Sequence, residues 1–329
     1  MNISAMQKRH FILLDVLPLL GTLLGVVVLT QTGVHAIDLV GLILMWFVTV
    51  VGIELGYHRY FSHQAFQVRP WVKGMLVVFA SMGGQGSVIA WATNHVHHHR
   101  FSDQKEDTHT PMQSGDGVWG RLKGFLHAQL LWKWSYRPPL PDRQALWLYK
   151  DPMITRLSKN RSYFSWVLLG LLLPAAISGL WEMSWEGALR GFLLGGVIRL
   201  FATQQGTFLI NSLCHLVGAQ PYTSKDNSRN AAGFSLVTLG GAWHNNHHAF
   251  PRSGKNSHDW WQIDYGYGVL RVAERLGWVW DIHTVSQEDR RRKLKTAGVT
   301  TESITGVITK TQAAGNSGGG TYDSNAAGS

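Results

Sequence analysis

Three short stretches hold most of the residues that could do chemistry: His58-Arg59-Tyr60-Phe61-Ser62-His63, His95-Val96-His97-His98-His99 and His244-Asn245-Asn246-His247-His248. The second and third share the pattern H-x-x-H-H. On an α-helix, positions i, i+3 and i+4 lie on one face, so His95, His98 and His99 can converge on metal while His97 turns away, and the same holds for His244, His247 and His248. His58 and His63 are five apart, roughly 140° around an α-helix, which suits two different ions better than one. Neutral imidazole favours Zn, Cu, Fe or Ni, whereas Mg and Ca prefer oxygen ligands. The eight clustered histidines exceed what one zinc needs, and His215 adds a ninth. A pair of ions bridging several helices is the expected site. Isolated histidines are usually satisfied polar residues, which is the expectation for His10, His35, His127, His258 and His283, and both His97 and His109 are left outside the ligand set.

Such clusters need elements to carry them, and the chain supplies apolar ones. Phe11 to Thr30 is an apolar run interrupted by Asp15 and Pro18, and 20 residues at 1.5 Å each cross about 30 Å of hydrocarbon. It is too long for a signal peptide and lacks a small-residue cleavage site, so a retained helix is expected. A second run, Leu39 to Tyr57, delivers the chain directly to His58. Tyr163 to Leu180 and Gly187 to Leu213 complete four expected transmembrane helices. The last is polar for a membrane helix, with Arg199, Gln204, Gln205 and Asn211, residues that face a protein interior or a cavity in such settings.

The segment from Trp71 to Ala92 nearly qualifies as a further crossing but holds Lys73, Ser81 and the run Gly83-Gly84-Gln85-Gly86-Ser87. If it crossed, His95 to His99 would lie on the opposite face from His58 and His63. It is therefore expected to lie in the interface or to dip in without crossing. Residues 100–162 read as a polar, basic, soluble excursion. The links Gln31 to Asp38 and Trp181 to Glu186 carry no Lys or Arg, while the stretch from His58 to Ser162 carries fourteen, placing both termini and every histidine cluster in the cytoplasm.

The 329 residues carry a formal charge of +10 with 45% hydrophobic content in blocks, which points to basic loops beside anionic lipid; no nucleic-acid partner is expected. Cys214 stands alone, so neither a disulfide framework nor a thiolate metal site exists. Val269 to Leu276 alternates apolar and charged positions as an amphipathic helix stopped by Gly277. One domain is expected over residues 1–285. Residues 286–329 form a tail, basic at Arg290 to Lys295 and then rich in Gly, Ser, Thr and Asn as disordered segments are.

The motifs G-Y-H-R-Y-F-S-H (Gly56 to His63), N-H-V-H-H-H-R-F-S-D (Asn94 to Asp103), N-S-L-C-H-L-V-G (Asn211 to Gly218) and W-H-N-N-H-H-A-F-P (Trp243 to Pro251) resemble the membrane-bound fatty acyl desaturases, in the branch of stearoyl-CoA and acyl-lipid Δ9 desaturases. The resemblance covers roughly residues 11–280. It implies an all-α integral membrane fold and a di-iron centre held by His58, His63, His95, His98, His99, His215, His244, His247 and His248, with Asn211 reaching one iron through water. It further implies O2-dependent insertion of a cis double bond into a saturated acyl chain carried on CoA or a glycerolipid. No catalytic residue beyond the ligands is implied. Many relatives carry Gly-Glu-Gly before the third box, where this chain has Gly240-Gly241-Ala242.

A methylene chain has no polar handle, so regioselectivity requires a tunnel, for which Trp71 to Ala92 and the fourth helix are candidate walls. Glu54, four residues before His58, and Asp103 and Asp107 are candidates to hold ring N–H groups. Electrons must arrive from outside, since the chain has no iron-sulfur cysteine cluster and no dinucleotide fingerprint. A ferredoxin or flavoprotein reductase is the implied donor. Two other readings stand beside this one. A di-iron lipid hydroxylase would use the same ligands, and a histidine-rich metal-binding membrane protein or transporter would place them near the bilayer midplane.

Overall fold

The computed structural model describes residues 3–136 and 138–295. The expected disordered stretch from 296 onward lies outside the described residues. Among the described residues, four helices are long and apolar enough to cross a membrane: Ala5–Thr32, Ala36–Ser62, Asn160–Glu182 and Trp185–His215. Their outward faces expose Leu20, Leu24, Val27, Ile43, Leu44 and Leu172, as lipid-facing surfaces do. The fourth span is the most enclosed, half buried, and the third the least.

Several charged residues inside the spans are paired across helices. Arg190 of the fourth span bonds Asp38 of the second at 3.0 Å and Glu182 of the third, tying three helices at the end away from the histidines. Asp15, the interruption in the first apolar run, is buried and accepts from Lys133 at 2.6 and 2.8 Å. That pair corrects one expectation. The stretch after the second histidine box is polar on average, yet it is no free excursion. Its helical segment 117–135 lies against the spans: Gln129 donates to Gln205 at 2.8 Å and accepts from Ser212 at 2.7 Å.

The segment between the first two boxes forms two helices, Pro70–Ser81 and Val88–Phe101, separated by a glycine-rich turn. Twelve residues span about 18 Å, too short to cross. Small residues let the first of these helices approach the second span closely. A Cβ added to Gly52 would lie 2.2 Å from Ala80 N and 2.5 Å from Phe79 C, and one added to Gly56 would lie 3.1 Å from Leu76 Cβ. Gly52→Ala should force two backbones apart at a cost of about 1–3 kcal/mol or more. The expected result is a lower melting temperature in detergent; an unchanged melting curve would contradict this packing.

The turn brings the chain back so that Val88–Phe101 delivers the second box beside the first. A two-residue antiparallel ladder, Gln67–Val68 with Val279–Trp280, then ties the chain just after His63 to the segment that follows helix Tyr265–Arg275. The basic residues Arg290 to Lys293 end a short helix, Gln287–Lys293.

Candidate metal centre

The histidines form two groups. His58, His63, His95, His99 and His247 make one, and His98, His215, His244 and His248 the other, with ligand atoms in each group within 4.8 Å of one another. All nine are thus accounted for, but the division is not the one helical spacing suggests. His58 and His63 share a group because Gly52–Ser62 is a π-helix. Its i→i+5 bonding stacks residues five apart on one face, where α-helical spacing would splay them. Each H-x-x-H-H box is divided as well. His95 and His99, at i and i+4, enter one group while His98 enters the other; His244 and His248 enter the second group while His247 returns to the first. One turn of helix therefore serves both groups in each box.

Within the groups, Nε2 atoms face Nε2 atoms: His63–His95 at 2.8 Å, His58–His247 and His99–His247 at 2.9 Å, His95–His99 at 3.1 Å and His215–His244 at 3.0 Å. Nitrogens at right angles around one ion, each about 2.1 Å from it, lie about 3.0 Å apart. Nε2 of His98 and of His248 are buried without a hydrogen-bond partner. Buried nitrogens of this kind demand a partner, and an all-imidazole set aimed inward fits iron.

Carboxylates hold the outer ring nitrogens. His98 Nδ1–H donates to Asp107 at 2.9 Å, His215 to Asp103 at 3.1 Å and His248 to Asp226 at 2.5 Å. Because a carboxylate only accepts, these bonds fix the proton on Nδ1 and leave the Nε2 lone pair for metal. Glu54 lies 3.2 Å from His58 Nδ1 but out of line for a hydrogen bond, and Arg59 holds it. Three carboxylates thus serve the four-histidine group and one faces the five-histidine group.

Burial lowers the pKa values of His63, His95, His99, His244 and His247 well below the usual histidine range, and charge on neighbouring histidines adds to the effect. His248 falls to about 4 through burial, partly opposed by Asp226. His98 is raised, since Asp107 outweighs the effect of burial. Burial favours the neutral form of Asp103, but His215 and Asn227 hold it at about 2; Asp107 and Asp226 also stay below the carboxylate range. The sign for pH follows. Imidazoles held neutral in the fold bind protons near pH 6.5 once unfolded, so the unfolded state gains protons as pH drops and stability falls with it. The metal-free protein should melt progressively lower from pH 7.5 to 5.5 in detergent; a flat or rising trend would contradict the burial of neutral rings.

The third box is a six-residue helix, His244–Ala249, too short to hold itself. Asn230 Oδ1 accepts from the backbone N–H of Asn245 and Asn246 at 2.9 and 3.1 Å, satisfying its first turn. Asn245 Oδ1 accepts from Tyr222 N at 2.8 Å, and Asn246 Nδ2 donates to Asn256 O and Gln262 Oε1 at 2.8 Å. The two asparagines between the histidines are thus the buried scaffold of the box. Sequence reasoning missed them and Asp226, which stands at no helical spacing from any histidine. His97 bonds Glu106 O at 3.0 Å and enters neither group. His109 stacks on His98 beside Asp107, and burial lowers its pKa to about 3. At the Gly240-Gly241-Ala242 departure, a Cβ on Gly241 would stand 3.0 Å from Glu54 Oε2, so the missing acidic position adjoins a carboxylate already present.

Two cavities run past the groups. One, of about 370 Å3, passes Arg9, His10, Gln85 and Tyr163; the other, of about 330 Å3, passes Trp46, Ile53, Gly206 and Ile210. Both are lined by Trp91, His95, Thr207 and Asn211, so they meet beside the histidines. At that junction Gln85 donates to Thr207 at 2.9 Å and accepts from Trp91 Nε1 at 3.0 Å, while Trp91 stacks on His95.

Membrane-length helices enclosing two inward-facing histidine groups, open to apolar cavities, define a membrane-embedded metalloprotein of helical fold. Residues 36–281 match the family model described as fatty acid desaturase, and the chain belongs to that family. It is 38% identical to the hex-5-enoyl-[acyl-carrier protein] acetylenase of Moorena producens (strain JHB), over 85% of this chain and 87% of that protein. It is 32% identical to Delta-9 acyl-lipid desaturase 1 of Arabidopsis thaliana, over 74% of each chain. With the sn-1 stearoyl-lipid 9-desaturase of Anabaena variabilis it shares 30% over 72% of this chain and 80% of the relative. Family and fold together make this an integral membrane oxidoreductase acting on fatty acyl chains, and imply iron as its metal.

Proposed function

We propose that the chain places a cis double bond, at carbon 9, in a saturated acyl chain carried by a glycerolipid or a thioester, using two irons. His58, His63, His95, His99 and His247 would hold one iron; His98, His215, His244 and His248 would hold the other, with Asn211 joining through water. Asp103, Asp107 and Asp226 orient the rings they bond, while Glu54 places a negative charge beside His58. The carrying observation is the junction of two apolar cavities against His95 of the five-histidine group, with His244 of the four-histidine group lining the second cavity.

Bound iron supplies the activation of O2 that unactivated C–H bonds require. The balance is one CH2–CH2 pair, O2, two electrons and two protons giving CH=CH and two waters. The protein's part is positional. The acyl chain threads both cavities, Trp91 and Thr207 flank it where they meet, and the Gln85 bridge keeps those two side chains in place. Apolar walls exclude water along its length. Electrons come from a separate donor, a ferredoxin or a flavoprotein reductase, reaching the metal groups at the cytoplasmic face, where both termini also lie. Two relatives named for acyl-lipid or stearoyl-lipid 9-desaturation support the carbon-9 reading.

The test is expression in a host lacking its own desaturase, followed by gas chromatography and mass spectrometry of each lipid class. New cis-9 monounsaturated chains are the expected result. An alcohol would replace this reading with a hydroxylase, a triple bond would extend the chemistry toward the acetylenase relative, and no new product would remove it.

A further inference from the structure

Arg199 sits fully buried in the fourth span, and among the described residues it pairs with no carboxylate. Its guanidinium donates only to carbonyls and a hydroxyl: Gly195 O at 3.1 Å, Met82 O at 2.8 Å, Gly170 O at 2.6 Å and Thr49 Oγ1 at 3.4 Å. Two of these carbonyls lack helical partners for identifiable reasons. Pro174 lies inside the third span and has no N–H, which orphans the carbonyl four residues before it, that of Gly170. Met82 O ends the short helix Pro70–Ser81, where carbonyls have no following N–H and the helix dipole is negative.

Arg199 is the first of a series. Gln204 Nε2 donates to Gly84 O at 3.2 Å, and Thr207 accepts from Gln85 at 2.9 Å. Tyr57 donates to Gly86 O at 3.1 Å, and Gly86 N donates to Tyr163 at 2.9 Å. The turn 82–87 is therefore held almost residue by residue by three spans, and Gln85, Gly86 and Ser87 line the larger cavity. We propose that Arg199 is a positioning residue for the reaction: by holding Met82 O it sets the depth of the turn, and with it the place of Gln85 and Trp91 against the acyl chain. This rests on the desaturase reading.

The alternative is that Arg199 merely satisfies the carbonyl that Pro174 orphans in the third span, and one substitution separates the two. Pro174→Ala returns an N–H to Gly170 O but gives nothing to Met82 O. In Arg199→Met the melting temperature should fall; in Arg199→Met/Pro174→Ala it should recover in part. Alkene yield per folded protein should nevertheless stay roughly 100-fold low, the loss a displacement of about 1 Å can cause, and the double bond should spread over neighbouring carbons. Gln204→Leu, which strips a donor from the same turn without removing a charge, should spread the double bond even if the double variant does not fold. Products with wild-type bond position and yield from the double variant, or an unchanged bond position from Gln204→Leu, would overturn the proposal. A wild type that forms no alkene would instead sink the functional reading.

Discussion

Replacing His98 or His247 by alanine should abolish alkene formation while leaving the protein in the membrane. The two residues come from different boxes and different groups: His98 belongs to the four-histidine set and His247 to the five-histidine set. Each change removes one inward nitrogen and no apolar span. Loss should be complete by gas chromatography, because members of both groups, His95 and His244, line one cavity proposed to hold the acyl chain. The two variants should differ in iron content. His98→Ala leaves three histidines and an Asp107 carboxylate without its ring, so its group should lose iron; His247→Ala leaves four and should retain part of it. Activity surviving either change would break the ligand assignment, and equal iron in both variants and the wild type would break the grouping.

Arg59→Met should strongly destabilise the fold, lowering both yield and melting temperature. Arg59 is buried between Glu54 at 3.1 Å and Asp264 at 2.9 and 3.1 Å, and it also donates to Gly254 O at 2.8 Å and Leu239 O at 3.2 Å. Methionine would fill the space yet leave two buried carboxylates facing each other without a cation. Breaking a buried ion pair in this way costs about 3–5 kcal/mol, against a total stability of about 5–15 kcal/mol. Lysine should not rescue it, since one ammonium cannot reach both carboxylates and both carbonyls as a guanidinium does. The measurement is the monodisperse fraction on size-exclusion chromatography in detergent. A wild-type yield and melting temperature would show that this network holds less of the fold than its geometry indicates.

The spans were legible in the chain because long apolar runs leave few alternatives in a membrane. The histidine boxes were legible because so many imidazoles at helical spacing have little other use. What escaped was local geometry. An α-helical periodicity cannot reveal that Gly52–Ser62 winds as a π-helix, so His58 and His63 looked divergent when they converge. Nor can spacing say that each H-x-x-H-H box divides between two groups, since that depends on which side the partner helix lies. Asp226, Asn245 and Asn246 were missed because their roles arise from contacts between distant segments. Residues 100–162 looked soluble because their charge hides the contacts of Lys133 and Gln129 with the spans.

The central claim is that the two histidine groups remove adjacent hydrogens from a saturated chain. Purified protein, given iron, an external reductant, O2 and a stearoyl lipid deuterated at carbons 9 and 10, tests it most directly. Mass spectrometry should show an alkene that has lost one deuterium from each of the two carbons and gained no oxygen. A product that keeps all but one deuterium and carries an oxygen, or substrate returned unchanged, would contradict the account.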